Sequence, residues 1–152
     1  QDAFKPALWA LAVQHNLRTA RNRSVVADGA LWIWDVAEDV CPDGTQVVDW
    51  FHAVEHLSEA AHALYPDDKH THNRIRWLKT HKDHLYMGRI HEIIAALHRR
   101  ERSDLALYFE RHQRRMGYLG FWENGFADWL RHGRKRRETV QAAPLCYRDA
   151  LE

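Results

Sequence analysis

Residues 24–57 read SVVADGALWIWDVAEDVCPDGTQVVDWFHAVEHL, and the change of texture within this stretch decides the fold. The segment 24–28 is a short apolar run with β-branched Val25 and Val26, closed by Gly29, as expected of a buried strand. Residues 30–40 then carry apolar side chains at helical spacing. They are stopped by Cys41-Pro42-Asp43-Gly44, where Pro and Gly occupy the positions a turn requires. A second buried strand is predicted over 45–49. Both strands end in a carboxylate, Asp28 and Asp49. Strand, helix, strand in this order predicts a right-handed parallel βαβ unit whose strands finish at the same edge of one sheet.

Outside this unit the chain reads as helical. Residues 3–17 place Phe4, Leu8, Leu11 and His15 at helical spacing, and a basic turn over 18–23 leads into the first strand. Helices are predicted from 51 to Pro66, over roughly 73–102, and from 103 to about 118. Ile90, Ile94 and Leu97 form the core-facing stripe of the middle one, and Ser103 the N-cap of the last. Beyond Trp129 the pattern is lost in a basic run, RHGRKRR at 131–137, followed by residues without a clear period.

Composition narrows the classes further. The chain has 152 residues, 45% of them hydrophobic, with 22 Lys+Arg against 21 Asp+Glu, which argues against intrinsic disorder. Only 7 Gly and 4 Pro fit a helix-rich chain. No apolar run approaches the roughly eighteen residues of a membrane span, and the first residues carry no charged-then-apolar leader pattern. Two cysteines are too few for a disulfide framework. A cytoplasmic protein without a membrane partner is expected.

Two constellations offer chemistry. Asp28 and Asp49 would lie at the carboxyl ends of parallel strands, where open α/β sheets place ligands. Two carboxylates brought together there are relieved by a cation, and Mg²⁺ takes oxygen ligands in this way. Each Asp could instead cap the helix that follows it. His52, Glu55 and His56 spell H-x-x-E-H on one helix face, a zinc-peptidase pattern in which His52 and His56 reach one metal and Glu55 acts as base. That reading needs a third ligand from a later helix. The remaining histidines, such as His70, His72, His81, His84 and His91, read as solvated helix-face residues, and the basic run as a nucleic-acid contact or a solvated tail.

Taken together, Asp28-Gly29-Ala30, Trp32-Ile33-Trp34 and Asp49-Trp50-Phe51-His52-Ala53 through Glu55-His56-Leu57 resemble the middle of a DDE-type transposase of the ISKra-type insertion-sequence group, related to the mutator-like transposases. YFERHQRRMGYLGFWENG at 108–125 resembles the approach to that family's last catalytic segment, so the likeness covers roughly residues 3–125. It implies a helix-rich α/β chain with a partial ribonuclease-H-like core over 1–66 and a helical insertion region over 67–126. It also implies Mg²⁺ or Mn²⁺ as cofactor and the ends of an insertion sequence as the DNA partner. Asp28 would be the second of the family's metal carboxylates, and Asp49 and His52 its D-x-x-H element. Arg18, Arg21 and Arg23, with the basic tail, are the candidate DNA contacts.

The family's first carboxylate would then lie upstream of Gln1. Its last, a Glu in a P-I-G-S-G-x-V-E-S segment, is replaced here by FADWLRHGRKRRE. Codons can be chosen for Ala127 to Gln141 so that the frame shifted by one nucleotide reads PIGSGTVESGVKQF, with the Glu spanning the codons of Arg134 and Lys135. Residues 127–152 are therefore expected to be a frameshifted, poorly ordered tail, and the chain an inactive transposase fragment. The alternatives are a zinc hydrolase using His52, Glu55 and His56, or a helical binding module without catalysis. Sequencing the gene checks the tail: removing one nucleotide near the Phe126 codon should open the PIGSG frame, and a gene in which it does not sinks the frameshift.

Overall fold

The computed structural model of the chain describes residues 4–16, 19 and 23–123 and the strand at 145–148. The elements run α1 (Phe4–Gln14), β1 (Arg23–Ala27), α2 (Leu31–Val40), β2 (Thr45–Val48), α3 (Trp50–Leu64), α4 (Thr71–Tyr86), α5 (Ile90–His98), α6 (Ser103–His112), α7 (Tyr118–Glu123) and β3 (Leu145–Arg148). The protein is a helix-rich α/β chain with β1 and β2 parallel, as the strand–helix–strand pattern predicts. β3 pairs antiparallel on the other side of β1. Within the tail predicted over 127–152, 145–148 thus form a strand. The rest of that tail, including the basic run at 131–137, lies outside the described residues.

The chain divides into two compact units, with the boundary between Asp49 and Trp50. The sequence reading places the change of character at residue 66 instead. The difference is α3, which continues the βαβ unit in sequence but packs on α4. Its buried stripe is Ala53, Leu57, Ala60 and Ala61, four small or slender side chains that let a neighbouring helix approach closely.

In the first unit, β1 and β2 owe their burial to valines. Val25, Val47 and Val48 are buried, and the last two, although consecutive, are both fully so, which marks a strand covered on both faces. Leu8 and Ala12 of α1 pack with Val40 of α2, joined by Phe4 and Val36. Phe4 meets Trp32 edge to face at 5.4 Å. The helical periodicity of α1 therefore selects Phe4, Leu8 and Ala12, whereas Leu11 and His15, expected on the same face, are exposed. The turn after α2 closes through the Gly44 N–H, which donates to the Cys41 carbonyl at 2.9 Å. A side chain at Gly44 would meet Cys41 Sγ at 2.6 Å, so glycine is required there by space.

In the second unit the stretch predicted as one helix over 73–102 is two, α4 and α5. The break is a Schellman cap: Gly88 has φ of 71°, its N–H donates to the Leu85 carbonyl, and the Arg89 N–H reaches back to His84. The end of α5 repeats the pattern with Glu101 at φ of 58°, its N–H donating to His98 and the Arg102 N–H to Leu97. The buried stripe of α5 is Ile90, Ile93, Ala96 and Leu97, with Ile94 only half-buried. Ser103 is the first residue of α6 rather than its cap, and its hydroxyl lies 3.0 Å from His98 Nδ1. His98 Nε2 is 2.7 Å from Glu110, which ties α5 to α6. Such an exposed pair contributes at most about 1 kcal/mol, whereas each fully buried side chain such as Leu57, Leu97 or Phe109 contributes roughly 1.5–3 kcal/mol. Apolar packing therefore decides the stability of the helical unit.

Two histidines sit inside that packing. His81, expected on a solvated face, is buried with its ring stacked on Trp77 at 4.0 Å. Its Nδ1 lies 2.8 Å from the Trp77 carbonyl, so that nitrogen carries the hydrogen. His112 is buried against Tyr108. Burial pushes both imidazoles below their ordinary value. The Trp77 carbonyl works against this at His81, while His84 and Arg99 add to it, and Arg115, Arg111 and His56 add to it at His112. Because the folded values are lowered, the unfolded chain binds more protons. Stability is complete above the unfolded value of about 6.5, falls as the pH drops through it, and levels off below the folded values. Urea unfolding followed by tryptophan fluorescence should show a lower midpoint at about pH 5 than at about pH 8, and His81→Gln with His112→Gln should flatten the dependence. An unchanged pH slope in the double variant would show that other groups carry it.

Candidate functional site

The register of the parallel pair brings the two strand-ending carboxylates together. Ala27 stands opposite Val48, and the Asp49 N–H extends the ladder by donating to the Ala27 carbonyl at 2.7 Å. Asp28 and Asp49 are the next residues on their strands, so they leave the sheet at one edge on adjacent strands, which lie about 4.8 Å apart. Both are half-buried.

The local structure at Asp28 is a tight reversal. Gly29 has φ of 103°, a backbone region that favours glycine, and the Ala30 N–H donates to Asp28 Oδ1 at 2.9 Å. Ala30 itself is the N-cap of α2 and makes no side-chain cap bond. Asp28 thus holds the chain one residue ahead of the helix, which is close to the capping role considered for it. That bond also fixes the orientation of the carboxylate at the sheet edge. Carboxylates on neighbouring strands are a hard oxygen donor set, and Mg²⁺ or Mn²⁺ held by one or two such groups plus waters suits it. Among the described residues no group of three or more His, Cys, Asp or Glu could hold a metal.

His52 and His56 belong to the helical unit, on the first two turns of α3. Their rings are 6.0 Å apart between centroids. Each faces a carboxylate one turn on: His52 Nδ1 lies 3.9 Å from Glu55 and His56 Nδ1 3.2 Å from Glu59. His56 also rests on the ring of Tyr108 from α6, at 3.7 Å and 31°. Glu59 was legible at i, i+3 from His56. Tyr108 was not, because its contact depends on how α6 packs. The third zinc ligand that the H-x-x-E-H reading requires has no counterpart among the described residues.

Of the three candidate DNA contacts, Arg18 and Arg21 lie outside the described residues. Arg23 opens β1, and its guanidinium, only 19% exposed, donates to Asp43 at 3.2 Å. It braces the start of β1 against the turn before β2 instead of projecting toward a partner. No helix among the described residues is long and apolar enough to cross a membrane.

The chain matches no protein-family model, no curated protein and no solved structure. The geometry of the two units therefore carries the functional argument. For the imidazole pair it predicts that zinc added to the protein and dialysed against a weak chelator is not retained stoichiometrically. Metal analysis of the wild type and of His52→Ala should give the same low content, and one zinc per chain lost in the variant would restore the hydrolase.

Proposed function

We propose that this chain is part of the catalytic core of a DDE-type transposase of the ISKra-type group, with a ribonuclease-H-like arrangement around β1 and β2. The observation that carries the reading is the parallel register that places Asp28 beside Asp49 at the carboxyl edge of the sheet. It is supported by the ordered set of motifs spanning residues 28–57 and by Asp28 being held in place through the Ala30 N–H.

In this reading Asp28 and Asp49 hold Mg²⁺ or Mn²⁺, and the DNA at an insertion-sequence end is the substrate. The metal, when bound, activates the attacking oxygen and stabilises the leaving one in phosphoryl transfer. The protein's own part is positional. The β1–β2 ladder fixes the spacing of the two carboxylates, the Gly29 reversal turns Asp28 along the edge, and burial limits the water that competes for their oxygens. His52, one helical turn after Asp49 in sequence, is the histidine of the family's D-x-x-H element. Of the family's three metal carboxylates the resemblance assigns one, Asp28, to this chain, and Asp49 beside it does not make up the set, so the 152-residue chain is expected to bind metal weakly and not to nick DNA.

Mn²⁺ titration followed by electron paramagnetic resonance tests the site without requiring activity. Asp28→Asn and Asp49→Asn should each weaken Mn²⁺ binding by about tenfold or more, the loss expected when one of few charged ligands is removed. Far-UV circular dichroism should remain that of the wild type. Mn²⁺ binding that is indifferent to both substitutions, or Mg²⁺-dependent nicking of terminal repeats by the purified chain, would overturn the proposal.

A further inference from the structure

The near balance of charge conceals a segregation between helix faces. The exposed positions of α2 include Asp35, Glu38 and Asp39, an acidic face on which Lys5 pairs with Asp39. The exposed positions of α4 include His72, Ile75, Arg76, Lys79, Lys82 and Asp83, while Trp77, His81 and Leu85 turn inward. Arg76, Lys79 and Lys82 follow one another at i, i+3, i+6, so three cations lie along one side of the helix over about 9 Å of rise. Among the described residues no carboxylate lies within ion-pair distance of any of them, and Arg76 reaches only the Asn73 side-chain oxygen at 3.5 Å. Four other cations of this unit are spent internally. Arg102 is paired with Asp104, Lys69 with Asp67, and Arg74 and Arg100 donate to Tyr65.

We infer that the exposed face of α4 is a docking surface for the phosphate backbone of duplex DNA, with Arg76, Lys79 and Lys82 as its phosphate contacts. A duplex presents one charge per strand every 3.4 Å or so of its axis, so about 9 Å of helix spans two or three successive phosphates. A regular row of unpaired cations suits a regular line of anions better than the irregular charge of an acidic protein. Asp83 lies on the same face, next to Lys82 and one turn after Lys79, and is the one carboxylate of α4 that the strand must pass. The contact carries no base reading, so binding through it is independent of sequence. The inference rests on DNA being the partner in the proposed function but uses a surface separate from the carboxylate edge.

Fluorescence anisotropy of a labelled duplex of about 30 base pairs with the full chain, in chelator and without divalent metal, tests it while keeping the carboxylate site silent. The wild type should bind with strong salt dependence. Arg76→Gln, Lys79→Gln and Lys82→Gln together should lower affinity at least tenfold near 50 mM salt and reduce the salt slope by about three. A charge-matched control, Arg99→Gln, Arg111→Gln and Arg114→Gln, whose residues are also exposed but lie off α4, should lose far less. Equal losses in the two variants, no binding of duplex at low salt, or a surface that takes an acidic peptide or heparin while duplex binding survives the α4 substitutions would each overturn the inference. The α4 triple variant should bind Mn²⁺ as the wild type does, so loss of the α4 effect and loss of the metal effect are told apart.

Discussion

The hydrogen-bonded register between β1 and β2 is the constraint on which the candidate chemistry depends. A parallel pair can be joined only by a crossover, and here that crossover is one ten-residue helix closed by a four-residue turn. The turn works because Gly44 leaves room for the Cys41 side chain and because Asp43 holds Arg23 at the start of the neighbouring strand. A slip of one residue would exchange the faces of the strand and move Val47 and Val48, both fully buried, out of register with Val26 and Ala27. The same slip would separate Asp28 from Asp49. Core packing and the candidate site are therefore stabilised by one alignment, although neither aspartate contributes apolar surface.

The βαβ unit was legible because its signals are local. β-branched runs, a Pro-Gly turn and a helix-length gap each lie within a few residues of the element they define, and the predicted bounds differ from the observed ones by a residue. The helical unit was legible in kind but not in detail. One glycine at position 88 separates α4 from α5, and a single Gly inside an otherwise helical pattern costs only about 1 kcal/mol, too little to distinguish a break from a tolerated residue. Glu101 could not be foreseen as a left-handed cap at all, since residues with a Cβ adopt that conformation only when the surrounding packing demands it. The same limit explains α1. Its spacing offered Leu11 as well as Leu8, and the choice of Ala12 over Leu11 is made by the approach of α2, a tertiary fact.

The histidines show how far residue type alone can mislead. Their number invites a metal reading, and H-x-x-E-H strengthens it, yet the structure distributes them among unrelated tasks. His81 fills core beside Trp77, His112 packs against Tyr108, His56 bridges Glu59 and the Tyr108 ring, and His98 clamps α5 to α6. An imidazole serves all of these because it is flat enough to stack, small enough to bury and able to donate from one nitrogen. Metal binding needs something more exacting, several such groups converging on one point. Spacing along a helix can bring two of them together, and only the packing of separate elements can add a third.

Charge follows the same logic at a larger scale. With 22 basic and 21 acidic residues the chain exerts little net field, and by that measure nucleic acid would be a poor partner. A field at the surface, however, depends on which charges are neutralised by neighbours within a Debye length, about 10 Å at moderate salt. Arg23, Lys5, Lys69 and Arg102 are each paired with a carboxylate and contribute little beyond it. The three cations of α4 form no ion pair among the described residues and outnumber the single carboxylate, Asp83, on their face, and the acidic face of α2 belongs to the other unit. A near-neutral sum is thus compatible with one strongly basic helix face. The helical periodicity that buries Trp77, His81 and Leu85 is what assembles it, because every inward position on α4 forces its polar neighbours onto the opposite side.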